Sequence, residues 1–130
     1  MNIAYLCIVL LGFLMMGLSF YVSFMRGKTG KISGTTEDPE CPLYQAQRAH
    51  GNTTENAPML AVMMLVLAQT PQPTWVTATI ITATIFRFIL VAGLIFPATM
   101  AKPNALRFVG GLGSILSAIV LAVATLLQII

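Results

Sequence analysis

Apolar residues in this chain come in four long blocks rather than in alternating or amphipathic spacing. Residues 3–22 carry no charge, and the apolar character continues to Met25. Residues 108–130 form another uncharged block, and 75–96 a third with one charge, Arg87. Each is long enough for a helix to cross a hydrocarbon layer of about 30 Å, which takes about 20 residues. The fourth block, 57–68, is shorter, and as a helix it would rise only about 18 Å. A spanning helix there must begin earlier, inside the polar stretch Arg48-Ala49-His50-Gly51-Asn52-Thr53-Thr54-Glu55-Asn56. That start draws Asn52 and Glu55 toward lipid depth, where ionisable groups are costly and point to function. The expectation is an all-α membrane protein: a four-transmembrane-helix bundle, with helices near 3–25, 43–69, 75–96 and 105–130, in a single domain spanning 1–130.

Composition agrees. Hydrophobic residues make up 57% of the chain and charged ones 8%, with a mean hydropathy of +0.86, outside the range of soluble domains. Four helices leave no stretch for a soluble domain. The first block reads as a retained helix rather than a signal peptide, because no basic segment precedes it and no small-x-small cleavage pattern ends it. Cys7 reads as a small hydrophobe within that helix, and Cys41 lies in a loop. Their separation gives neither a disulfide framework nor a metal site.

The loops are unequal. Residues 26–42 hold Arg26, Lys28 and Lys31, then Glu37, Asp38 and Glu40, and the third loop region holds Lys102 and Arg107. Residues 70–74 and both chain ends carry no side-chain charge. The Lys/Arg bias places loops one and three in the cytosol, with the termini and loop two on the opposite side of a multi-pass protein. Gly27, Gly30, Gly34 and Pro39 mark loop one as turn-rich and mobile, while Pro71 and Pro73 make loop two a tight break. The net charge of +3 suits an anionic lipid surface, and no basic-aromatic pattern points to nucleic acid.

Helical spacing sorts the polar stretch. Arg48, Asn52 and Glu55 fall at i, i+4 and i+7 on one face, extended by Tyr44 and Met59, whereas His50 points nearly the opposite way. Counted from the non-cytosolic end, Glu55 lies about 21 Å deep and Arg87 about 18 Å. Spans two and three should be antiparallel neighbours, so a Glu55–Arg87 ion pair is expected, serving either a site or helix register alone. Arg26, Arg48 and Arg107 fall near the cytosolic ends of spans one, two and four. Gathered in a bundle or between subunits they would form a pocket for a small polyanion; taken singly, they would snorkel to lipid phosphates. Pro58 should kink span two. Gly110, Gly111, Gly113, Ser114, Ser117 and Ala118 suit close helix approach in span four, and Thr77, Thr79, Thr82 and Thr84 suggest polar glue in span three.

The run from Arg48 through Ala57-Pro58 reads Arg-Ala-His-x-Asn-x-x-Glu-Asn-x-Pro, and with four spans it resembles the MAPEG family, the membrane-associated proteins of eicosanoid and glutathione metabolism. The resemblance extends over essentially the whole chain in architecture. It implies a homotrimer of four-helix subunits, with glutathione held between neighbours near the cytosolic face. By the same resemblance Arg48, Asn52 and Glu55 would contact glutathione, Arg26 and Arg107 would complete the pocket, and Arg107 would stabilise the glutathione thiolate. Span three departs from the family pattern: Leu90 and Leu94 stand where polar, ring-bearing residues usually help hold glutathione.

Two functions follow as expectations. One is an integral membrane glutathione transferase or peroxidase acting on lipophilic electrophiles dissolved in the bilayer. The other is a non-catalytic MAPEG-like subunit or assembly component of a membrane complex, favoured by Leu90 and Leu94. A channel or transporter fits less well, since one short polar stripe does not line a path across the bilayer.

Overall fold

The computed structural model describes residues 2–130 and contains four helices: α1 (Ile3–Thr29), α2 (Pro42–Leu67), α3 (Thr74–Ile95) and α4 (Ala105–Ile129). α1, α3 and α4 are long and apolar enough to cross a membrane. α2 matches them in length, but its polar first half holds its hydropathy below theirs.

Local chemistry sets each helix end. Asn2 and Asn104 cap α1 and α4, their side-chain oxygens accepting from the backbone N–H of Ala4 and Leu106. α1 runs one turn past the expected end, taking in Arg26 and Lys28, and stops at Gly30, whose φ of 67° is a left-handed conformation suited to glycine. Pro42 opens α2 in its first turn, where its missing N–H costs nothing. The interior Pro58 does not end α2, which continues to Leu67 with the proline exposed.

α2 and α3 each touch all three other helices, whereas α1 and α4 do not touch each other. The core is thus two central helices flanked by two outer ones. Its largest cluster joins Leu11, Leu60, Met64, Leu67, Val76, Ile80 and Leu121 away from the Arg-rich end. α3 and α4 share the most extensive contact of any helix pair. A Cβ on Gly110 would overlap the backbone of Leu90, one on Gly93 would overlap that of Leu106 and Arg107, and one on Gly113 would meet the Phe86 ring. The expected small-residue face of α4 is therefore used, with Gly93 added from α3. Three of the four threonines expected to act as interhelical glue in α3 do not do so. Thr79, Thr82 and Thr84 return their hydroxyls to carbonyls three or four residues back in their own helix, which already satisfies them.

Polar side chains tie both ends of the bundle. At the uncharged end Gln72 Nε2 donates to Gln128 Oε1 at 2.9 Å, and Gln128 Nε2 donates to the Val66 carbonyl at 3.1 Å. At the Arg-rich end Gln45 Nε2 donates to the Pro97 carbonyl at 2.9 Å, and the Met100 N–H donates to the Pro39 carbonyl at 2.9 Å. These bonds join the second and fourth helices at one end, and loops one and three at the other.

The α3–α4 approach yields a paired prediction. Gly110→Ala should destabilise the fold by about 1–3 kcal/mol, because backbone cannot yield to the new methyl. Gly111→Ala meets only Leu90 Cδ1 at 3.9 Å and should leave stability unchanged or slightly raised. Thermal unfolding of the two variants in one detergent checks this; equal melting temperatures would refute the contact.

Candidate functional site

The polar stretch folds as the first half of α2, and burial divides it by angle. Ala46, Ala49, Thr53 and Ala57 are buried, marking the side turned to the core. Arg48 and Glu55 are exposed, and Asn52 is half-buried between the two environments. At about 100° per residue, Asn52 sits nearer the core side than Arg48 or Glu55 by about 40° and about 60°. A stripe that looks single on a helical wheel is thus split, with two outward charges and one amide at the inner border.

That border decides the fate of Arg87. The residue is only 2% exposed, and its Nη2 donates to the Asn52 backbone carbonyl at 2.9 Å and to Asn52 Oδ1 at 2.8 Å. The expected Glu55–Arg87 ion pair does not form. Asn52 precedes Glu55 by three residues, about 4.5 Å of rise, so Arg87 meets α2 within one turn of the expected depth. The difference lies in the face: Glu55 is exposed outside the α2–α3 seam, where a side chain buried in that seam does not meet it. Arg87 Nε has no hydrogen-bond partner. Asn56 Nδ2 also donates to the Asn52 carbonyl, at 2.8 Å.

Leu90 and Leu94 lie behind this stripe. Each is 6% exposed, packed in a cluster with Leu18, Ala49 and Val91. They fill the junction of α1, α2 and α3 as hydrophobes. His50 is half-buried away from the Arg48–Glu55 face, as its angle requires.

The three arginines at the charged end do not come together in one cavity of the bundle. Arg48 lines an open groove of about 520 Å³ with Thr35, Thr36, Glu37, Tyr44 and Gln47. Arg107 lines a separate one of about 470 Å³ with Pro103, Asn104, Ala105 and Phe108, and donates to the Met100 carbonyl at 3.0 Å. Arg26 donates to the Lys31 carbonyl at 3.4 Å, closing the turn after α1. Loop one is more ordered than its glycines suggested. Gln47 Nε2 donates to the Gly34 carbonyl at 3.1 Å, laying Thr35, Thr36 and Glu37 beside Arg48. Tyr44 is legible from its helical spacing with Arg48, but Thr35, Thr36 and Glu37 are not, because no periodicity marks a contact between a loop and a helix. Cys7 is buried and Cys41 half-buried, and both are free thiols.

The site can therefore offer outward cations at Arg48 and Arg107, one outward carboxylate at Glu55, and between Arg48 and Glu55 an amide held from behind by Arg87. No curated protein and no solved structure matches the chain. The model of one family, described as the MAPEG family, matches residues 4–127. With a match over nearly its whole length, on four helices of which three can cross a membrane, the chain belongs to the MAPEG family and is a membrane protein of the eicosanoid and glutathione class.

Proposed function

We propose that this protein binds glutathione in the membrane and transfers it to, or uses it to reduce, a lipophilic electrophile that arrives through the bilayer. The observation that carries this reading is the outward placement of Arg48 and Glu55 on one side of α2, with Glu55 about two turns further along the helix from the charged end, where an uncovered carboxylate would be costly in lipid. Groups so placed call for a covering partner and a ligand of complementary charge. A homotrimer supplies the first, turning the α2 face toward a neighbouring copy. Glutathione supplies the second, with two carboxylates for guanidinium groups and an ammonium for Glu55. The donor set fits that zwitterion.

Glutathione brings the nucleophilic sulfur; the protein's part is to hold it. Arg48, Asn52 and Glu55 anchor the peptide ends, and Arg26 contributes positive charge at the cytosolic mouth. Arg107 favours the thiolate over the thiol by its fixed positive charge. The apolar lining around Phe108 gives a lipophilic substrate a place beside it. Within one subunit Arg48 and Arg107 line different grooves, so the complete site requires the neighbour. Loops one and three then face the cytosol, and all four helices span.

One observation favours a second reading, a non-catalytic assembly subunit. Leu90 and Leu94 are given over to core packing, so α3 offers no ring to the ligand.

Calorimetric titration of the purified protein with glutathione separates the two. Binding is expected, with Arg48→Ala and Glu55→Ala each weakening it by about 10–100-fold through loss of a charge-assisted bond. Absence of binding and of conjugation to a chloronitrobenzene at millimolar glutathione would leave only the assembly reading. If conjugation is seen, the limb over which its rate rises with pH reports the bound thiol, whose free pKa is near 8.5 or above. Arg107 lowers that value by favouring the anion, so Arg107→Met should move the limb to higher pH. An unmoved limb would remove Arg107 from that role.

A further inference from the structure

We infer that Arg87 is a positioning residue that fixes which way Asn52 faces, so that Asn52 presents its amide N–H groups, and not its carbonyl oxygen, to a carboxylate held at Arg48. The inference rests on the glutathione reading above and adds a residue to it.

An asparagine amide has two nearly isosteric ends, an oxygen that accepts and a nitrogen that donates, and a half-turn about its last torsion exchanges them. A half-buried Asn52 could show either end to a ligand. Guanidinium groups have five N–H donors and no acceptor, so only the oxygen of Asn52 can face Arg87. The geometry agrees: Arg87 Nη2 lies 2.8 Å from Asn52 Oδ1 and 2.9 Å from the Asn52 backbone oxygen. The same backbone oxygen also receives Asn56 Nδ2 at 2.8 Å. Both acceptors of Asn52 are thereby occupied from within the subunit, while its Nδ2 donates to no other residue described.

Burial makes the arrangement stiff. Arg87 is 2% exposed and its backbone is held in the tight α3–α4 pair, so it cannot swing away to release the amide. A charged donor also strengthens each bond relative to a neutral one. Asn52 lies one turn from Arg48 and, on the other side, nearly one turn from Glu55. Along the helix the ligand thus meets a cation, then a neutral donor, then an anion. That order selects a molecule whose carboxylate lies toward Arg48 and Asn52 and whose ammonium lies toward Glu55.

Binding by titration calorimetry, on the full chain in detergent, tests this with glutathione as the probe and with thermal stability read in parallel. Asn52→Asp replaces the free donor by an acceptor of the same shape while giving Arg87 an anionic partner. It is expected to keep or raise the melting temperature while weakening glutathione binding by about tenfold or more. Arg87→Gln should weaken binding in the wild-type background but have no further effect on top of Asn52→Ala, because Arg87 acts through Asn52. A residue with only a structural role would weaken binding equally in both backgrounds, and that additive result overturns the inference. So does Asn52→Asp binding glutathione as wild type does. If the wild type itself binds no glutathione, both this inference and the function beneath it fall; binding with additive variants removes the inference alone.

Discussion

A positive charge buried in an apolar bundle must be met by oxygen from the protein itself, because no water is at hand to solvate it. Arg87 is that charge, and Asn52 meets it with two oxygens, one from the backbone and one from the side chain. The consequences run outward from this contact. It joins the two central helices near mid-span and holds the inner border of the α2 polar stripe. It also leaves Glu55 exposed on the outer side of α2, without an ion-pair partner in the bundle. Had Arg87 taken Glu55 instead, the stripe would have been neutralised internally and the outward face would have kept only one charge.

The contact depends in turn on how closely α3 and α4 approach. Gly93, Gly110 and Gly113 remove the side chains that would hold these helices apart, and the backbone of Leu90 sits where a Cβ on Gly110 would be. In lipid, such packing contributes more than hydrophobic transfer does, since tails outside are as apolar as leucines inside. With α4 seated against it, α3 turns Arg87, Leu90 and Leu94 inward as a block. The same rotation that delivers Arg87 to Asn52 buries the two leucines against Leu18 and Ala49. Cation and leucines are therefore one packing decision: residues at i, i+3 and i+7 share a helix face and move together.

At the charged end the order comes from hydrogen bonds rather than apolar burial. Gln45 reaches the Pro97 carbonyl, Gln47 the Gly34 carbonyl, and the Met100 N–H the Pro39 carbonyl. α2 thus acts as a post to which loops one and three are both tied. The groove beside Arg48 is walled by a loop that its glycines alone would mark as mobile.

The sequence by itself determined the all-helical class, the four helices and most of their ends, and the family, because these follow from apolar run length, caps, proline positions and one local motif. Periodicity also placed Arg48, Asn52 and Glu55 near one another on α2. Only the tertiary structure decided which of the three faces inward. A difference of about 60° around a helix is too small for a wheel diagram to rank against an unknown neighbour. It is nonetheless enough to exchange a charged partner for a neutral one. The α3 threonines follow the same logic in reverse: their sequence suggested cross-helix bonds, but a hydroxyl within reach of its own backbone carbonyl is satisfied before any neighbour arrives. Partner choice depends on which surfaces meet and at what rotation, and this is set by packing between segments far apart in the chain, not by the order of residues within any one of them.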